Sequence, residues 1–234
     1  MTARKRRPTP IARPAAAEDD RSAIRWRAVA IIVAGLLVYA NALSSPFLFD
    51  DTNSIVGNPQ IRRLWPLSVP LSPPRDTPVA GRPLVNLAFA VNYAAGGFEP
   101  WGYHLVNVGI HTAAALVLFG LVRRTPGSSI NLGFVCALVW LLHPLNSEVV
   151  NYFSQRTESM MGLFFLLTLY CAVRGWTTRA VLACAAGMLC KESMVTAPVV
   201  VMLYDRVFLF DSWTRMFRVR RGFYLGLAST WLLL

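Results

Sequence analysis

The stretch that decides the fold runs from Tyr103 to Val122, "YHLVNVGIHTAAALVLFGLV". Twenty residues without an acid, a lysine or an arginine are long enough to cross the hydrocarbon core of a bilayer as one helix. Its polar residues, His104, Asn107 and His111, recur at i, i+3 and i+7 and fall on one helical face. Polar side chains facing lipid are costly, so this face is expected to look into a bundle of helices or a hydrated cavity. Satisfied interhelical hydrogen bonds are the plain reading of His111. His104, nearer the end of the segment, is the better candidate for contact with a ligand.

The rest of the chain agrees with a helical membrane bundle. Its 234 residues are 55% hydrophobic and 15% charged, with a formal net charge of +11. Further apolar segments lie at Ala28 to Leu43, Leu132 to Leu142, Met160 to Val173, Val181 to Cys190, Val195 to Phe210 and from Phe223 onward. They predict an all-α, polytopic bundle of about six or seven spans. Met1 to Arg27 carries eight Lys/Arg against three acids, with no apolar periodicity, and reads as a disordered basic cytoplasmic tail. Residues 28–234 then form the transmembrane domain, with a long Pro-rich first external loop at 44–100. Within that loop, "LVNLAFAVNYAAGGF" is expected to lie along the membrane surface, because Asn86 and Asn92 make it too polar for a span.

Charge orients this arrangement. With loops at Arg123 to Ser129, Arg174 to Arg179 and Asp211 to Arg221 on the cytoplasmic side, the tail, these loops and their flanking residues hold 17 of the 23 Lys/Arg. That is the positive-inside pattern, with the N-terminus cytoplasmic. The "YANALSS" run after the first apolar segment also carries an A-x-A pattern suited to a signal peptidase; the helix is read as retained. The sequence stops within "STWLLL", and is expected to be the front of a longer protein. Cys136, Cys171, Cys184 and Cys190 sit in apolar stretches without metal-ligand spacing and read as small hydrophobes. No phosphate-binding glycine loop is present, and the basic charge is topogenic, so nucleic acid is not an expected partner.

The candidate chemistry gathers on the external side. In "SPFLFDDTNSI", Asp50 and Asp51 follow an apolar run, and an extended backbone would point them apart. One carboxylate acting as a general base and the other as its partner fits that arrangement, and so does a simple turn cap by Asp51. "HPLNSEVVNYFSQRTE" places His143 at a helix end, then Glu148, Tyr152 and Arg156 at spacings of four along one helical face. Arg156 has the geometry for a phosphate or for a structural acid partner. Lys191 and Glu192 interrupt an apolar run and mark an external turn, where Lys191 is a second candidate phosphate ligand.

These residues also carry a resemblance. "FLFDDTNSIVGNPQI", "GRPLVNLAFAVNY", "GYHLVNVGIH", "HPLNSEVVNYFSQRTE" and "CKESMVTAPVVVMLYD" occur in the order found in the transmembrane and tetratricopeptide-repeat O-mannosyltransferase-like proteins. Those resemble the protein O-mannosyltransferases among the GT-C glycosyltransferases. The resemblance spans roughly Asn41 to Asp205. It implies a GT-C-like fold and transfer of a sugar, in the family mannose, from a polyprenyl or dolichyl phosphate donor to a protein Ser/Thr hydroxyl outside the cytoplasm. It places Asp50 as the catalytic base and Asp51 beside it, with a divalent metal at the pair left open. Arg82, His104, His143, Glu148, Arg156, Lys191 and Glu192 become candidates for substrate and donor contacts. At Arg82 the chain departs from the family, with Ala80 and Gly81 where an aromatic is usual. The expected partners are the bilayer, the lipid-linked donor and a protein acceptor, in a bacterial inner membrane or the ER membrane. A non-catalytic scaffold, a truncated pseudo-enzyme or a transporter-like bundle is the alternative.

Overall fold

The computed structural model describes residues 16–234, and every regular element among them is helical. Nine α-helices follow in order: α1 Ala16–Val38, α2 Pro83–Gly96, α3 Pro100–Val122, α4 Ile130–Leu142, α5 Ser147–Asn151, α6 Arg156–Val173, α7 Thr177–Met188, α8 Ala197–Phe208 and α9 Trp213–Ser229. Short 3-10 turns punctuate the chain, notably at Pro144–Asn146, Phe153–Gln155 and Glu192–Thr196.

Helix boundaries follow local chemistry. Pro83 and Pro100 occupy the first positions of α2 and α3, where a missing N–H costs nothing. Ser129 and Ser212 cap α4 and α9, accepting N–H bonds from Leu132 and Arg215. Three boundaries differ from the sequence reading. Helix α1 begins at Ala16, well inside the stretch read as a disordered tail. Once Ala28 to Val38 is helical, propagation through helix-tolerant Ala, Glu and Arg needs no new nucleus, and Trp26 packs edge-on against Phe134. The part of the tail at residues 1–15 lies outside the described residues. Helix α9 likewise begins at Trp213, so the predicted basic loop is helical, with non-helical backbone at Arg220. Helix α6 starts at Arg156 rather than Met160.

Three apolar clusters hold the helices together. One joins α1, α3 and α4 through Ile31, Val108, Ala115, Phe119, Ala137 and Leu141. A second joins α6 to α9 through Leu169, Cys184, Val201, Met216 and Leu227. The third packs the 44–82 loop and α2 onto α3 and the start of α6, through Ile55, Ile61, Phe89, Tyr103 and Phe153. One face of helix α2 is therefore packed into the body of the protein. Its two asparagines, expected to be the polar obstacle, are buried and bonded: Asn86 Oδ1 accepts from Asn58 Nδ2 at 2.7 Å, and Asn86 Nδ2 donates to the Pro70 carbonyl at 2.8 Å.

Polarity is inverted relative to a water-soluble bundle. Asn86, Asn92, Asn107, His111, Arg156 and Asp205 are buried, whereas Leu37, Val139, Leu182, Val207 and Leu225 are among the most exposed side chains. Such a surface matches hydrocarbon better than water. Helix α3, 23 residues with mean hydropathy 2.0, is long and apolar enough to span; α4 and α5 form a pair bent by 55° that passes the same test together. The other helices are shorter or, like the 23-residue α1, more highly charged, and the count of six or seven is not reached by this criterion among the described residues.

The molecule has two chemically distinct ends. At one, Tyr204 donates to Thr125, the Arg124 guanidinium lies over Tyr170, and Arg220 bridges Asp205 and the Ala172 carbonyl. At the other, Tyr39 donates to the Leu141 carbonyl, Asp50 meets Tyr152, and Leu84 meets Leu189. The candidate site residues lie at or near this second end.

The closest approach of a glycine to the backbone of another segment gives a test of this packing. A Cβ on Gly133 would lie 3.1 Å from both the Arg123 nitrogen and the Phe119 carbonyl oxygen, whereas one on Gly109 would meet nothing within 4 Å. Gly133→Leu is expected to separate α3 from α4 and to destabilise the protein by about 1–3 kcal/mol. Gly109→Ala serves as the neutral control. Thermal unfolding of both variants in one detergent checks the contrast.

Candidate functional site

The site is organised by the short segment where the chain enters α6. Helix α5 ends at Asn151, Tyr152 is extended (φ −108°, ψ 115°), and Phe153–Gln155 turns once before α6 begins at Arg156. Glu148, Tyr152 and Arg156 therefore do not share one helical face, as their spacing suggested. The break sends Tyr152 towards the acidic loop and Arg156 into the core.

Asp51 and Asp50 divide as their adjacency suggested, though on a turn rather than an extended strand. Phe49 takes a left-handed backbone (φ 45°), and the chain then coils into a wide helical turn over Thr52–Val56. Asp51 is 1% exposed. Its Oδ1 accepts from the Ser154 N–H at 2.8 Å and the Ser154 hydroxyl at 2.9 Å, and its Oδ2 accepts from the Leu48 N–H at 3.2 Å. Asp51 thus bolts the acidic loop to the entry of α6. Burial pushes its carboxyl above the ordinary aspartate range, against the downward pull of the bonds from Leu48 and Ser154. Asp50 is exposed, with its backbone N–H donating to the Tyr152 hydroxyl at 3.0 Å. The pair presents one free carboxylate beside a phenol, held from both sides by its neighbours.

Arg156 has no solvent exposure. Its Nε donates to Asn107 Oδ1 at 2.7 Å, Nη1 to Asn92 Oδ1 at 2.5 Å and Nη2 to the Tyr103 carbonyl at 2.9 Å. The guanidinium also lies over the Phe89 ring, 4.6 Å from its centroid. This cation ties α2, α3 and α6 together, and its fork is directed inward rather than towards an approaching phosphate. Neither an acidic partner nor a ligand is needed to explain it, because three neutral oxygens and an aromatic face receive its charge.

The histidines are structural too. His104 is fully buried, its Nε2 is 3.1 Å from the Ser45 carbonyl, and its ring packs on Phe153 at 4.1 Å. His104 therefore anchors the beginning of the acidic loop instead of lining an open site. His111 Nε2 lies 3.2 Å from the Leu141 carbonyl, as an interhelical bond. His143 is exposed and uses Nδ1 to accept the Leu145 N–H at 3.2 Å, which fixes the turn before α5.

The remaining cations form ion pairs. Lys191 is paired with Glu158, two residues beyond Arg156, and Arg82 lies 3.7 Å from Glu192. Arg82 also donates to the Pro78 carbonyl at 2.8 Å. Both pairs are partly solvated, and so remain accessible to a competing anion. Ser154, Glu158 and Asn58 are not distinguished by the sequence, and Asn86 and Asn92 are distinguished there only as too polar for a span. Glu158 lies within "QRTE", and only the return of α7 along α6 brings Lys191 back to it. Among the described residues no group of three or more His, Cys, Asp or Glu side chains is placed to hold a metal ion. The four cysteines are unpaired.

Comparison with known proteins gives this geometry a context. The chain is similar to the protein O-mannosyl-transferase tmtc2 of Xenopus laevis, with 34% identity over 196 residues, and to TMTC2 of Homo sapiens, with 34% over 201. The Drosophila melanogaster Tmtc2 is 32% identical over 192 residues. The human and frog alignments take in 75% of this chain but 23% of those proteins, so the chain spans about a quarter of the length of the relatives it matches. No family model and no solved structure matches it. The resemblance read from the ordered motifs is thereby shown across three quarters of the chain.

Two outcomes follow from the geometry. Arg156→Ala would take the guanidinium donor from the Asn92 and Asn107 side-chain oxygens and from the Tyr103 carbonyl, and is expected to destabilise the protein by about 3 kcal/mol or more. Arg156→Lys should recover only part of this, because an ammonium cannot reach three diverging acceptors; denaturation midpoints of the two variants check the order. Asp51 sets a pH dependence. A carboxyl raised in the folded state binds its proton more tightly there than in the unfolded chain. Its contribution is therefore greatest below the ordinary aspartate value of 3.8 and is lost as pH rises through the folded pKa. Unfolding of Asp51→Asn, followed from pH 3 upward, should lack that component of the wild-type slope.

Proposed function

We propose that this chain is the membrane-embedded part of a glycosyltransferase that moves a sugar, mannose by analogy with its relatives, from a polyprenyl phosphate to a protein hydroxyl. The observation that carries the reading is Asp50: an exposed carboxylate on a loop fixed by Asp51 and Ser154, with the Tyr152 hydroxyl at its own N–H. A general base has to reach the acceptor proton without drifting, and this loop is pinned on both sides of Asp50. In this reading Asp50 takes the proton of the acceptor Ser or Thr, whose oxygen attacks the sugar carbon bonded to the donor phosphate. The phosphate leaves carrying its lipid.

The donor phosphate is assigned to Lys191 and Arg82. Both are partly solvated, both are held by carboxylates that an anion can displace, and both lie at the same end as Asp50. Arg156 is assigned to the frame. The reaction faces the side away from the cytoplasm, consistent with the distribution of Lys and Arg. The apolar exterior of the helices is where the lipid tail of the donor would run.

Asp50→Asn is expected to lower sugar transfer by a factor of 100 or more while leaving the melting temperature within a degree or two of wild type. Lys191→Met should raise the KM for the lipid-linked donor more than it lowers kcat. Transfer is read from a radiolabelled polyprenyl phosphate sugar, with this chain and with any longer product of the same reading frame. Full activity in Asp50→Asn removes Asp50 from the chemistry; transfer by neither wild-type form leaves the non-catalytic scaffold as the better account.

A further inference from the structure

Immediately beside Asp50 is a cavity of about 320 Å³, lined by Leu48, Phe49, Glu148, Asn151 and Tyr152. Two of its walls, Leu48 and Phe49, are the residues that precede Asp50, and a third, Tyr152, holds the Asp50 N–H. Phe49 is 85% exposed because its left-handed backbone turns the ring out of the packed body. Its neighbour two positions earlier, Phe47, instead packs on Tyr103 and Phe153. The cavity is of a size to take one or two side chains.

Its charge separates the two substrates of a transferase. Glu148 is exposed and bonded only to the Gln155 amide, at 3.3 Å, and Asp50 is exposed close by. Among the described residues no lysine or arginine comes within ion-pair distance of Asp50, Asp51 or Glu148. An apolar cavity whose charged rim is wholly acidic repels a lipid phosphate and attracts a cation. The cations that suit a phosphate, Lys191 and Arg82, line none of this cavity.

We propose that this cavity is the acceptor subsite. The extended acceptor polypeptide lays a side chain next to its reacting Ser or Thr on Phe49 and Tyr152, and Glu148 selects a lysine or arginine there. The aliphatic stem of such a residue suits the aromatic wall, while its head reaches the carboxylate. The proposal rests on the function given above, since it takes Asp50 as the base that the acceptor hydroxyl must approach. It assigns Glu148 a role in choosing the acceptor, and none in the chemical step.

Binding of fluorescent Ser/Thr peptides to the intact chain in nanodiscs tests it, with Lys, norleucine or Glu beside the hydroxyl residue. The Lys peptide should bind about two- to five-fold more tightly than the norleucine peptide, the range of one solvated charge pair, and the Glu peptide less tightly than either. The preference should shrink as salt is raised. Glu148→Gln should abolish it and Glu148→Lys reverse it, while Phe49→Ala should weaken all three peptides alike. Equal binding of the three peptides, no binding of any, or a preference that survives Glu148→Gln would overturn the subsite. Failure of the transferase reading looks different: the charge preference and its loss in Glu148→Gln persist in binding, yet no sugar is transferred by the chain or its longer product.

Discussion

A buried guanidinium is the constraint on which the candidate site depends. Arg156 opens α6 with no solvent exposure, and its three nitrogens are received by Asn107, Asn92 and the Tyr103 carbonyl. An isolated charge in such surroundings would be prohibitively costly. Here three oriented dipoles and the Phe89 ring take the place of water, and the consequence is geometric. Helices α2, α3 and α6 can meet only where all three acceptors converge. The residues just before Arg156 are then held in register, and those are the residues that grip the acidic loop.

From that fixed point the functional surface is assembled in short steps. Ser154, two residues before Arg156, supplies the N–H and hydroxyl that bind Asp51; Tyr152, four before, meets the Asp50 N–H; Glu158, two after, pairs with Lys191. A stretch of seven residues thus positions the free carboxylate and one of the two accessible cations. His104 adds a fourth fastening by holding the Ser45 carbonyl, ahead of the acidic pair. Buried polar groups in this fold act as positioning devices, and the exposed ones beside them, Asp50, Glu148 and the Lys191 and Arg82 pairs, are left for chemistry and recognition.

In the proposed reaction this division would also separate the substrates. Acid and apolar surface meet around Asp50, whereas the accessible cations sit on the turn after α7 and at the start of α2. A reaction joining a neutral hydroxyl to an anionic lipid-linked sugar needs both environments, kept apart so that the base is not neutralised by the groups that hold the phosphate.

What the sequence determined by itself was the helical class, the apolar segments and the grouping of candidate residues at one end. Those are local or statistical properties: periodicity, run length and charge asymmetry are written along the chain and need no partner to be read. The likeness to a family was legible in the order of its motifs. Which polar residue serves the frame and which the surface was decided only by tertiary structure. Arg156, His104 and Asp51 have the composition of site residues, yet each is hydrogen-bonded to a segment about 50 to 100 residues away in sequence. Glu158 was overlooked because its partner lies 33 residues on. Asn86 and Asn92 read from the sequence as polar obstacles because the donors that make them tolerable inside, Asn58 and Arg156, are invisible from the sequence of α2. The cost of burying a polar group depends on what meets it there, and that is a property of the fold rather than of the residue.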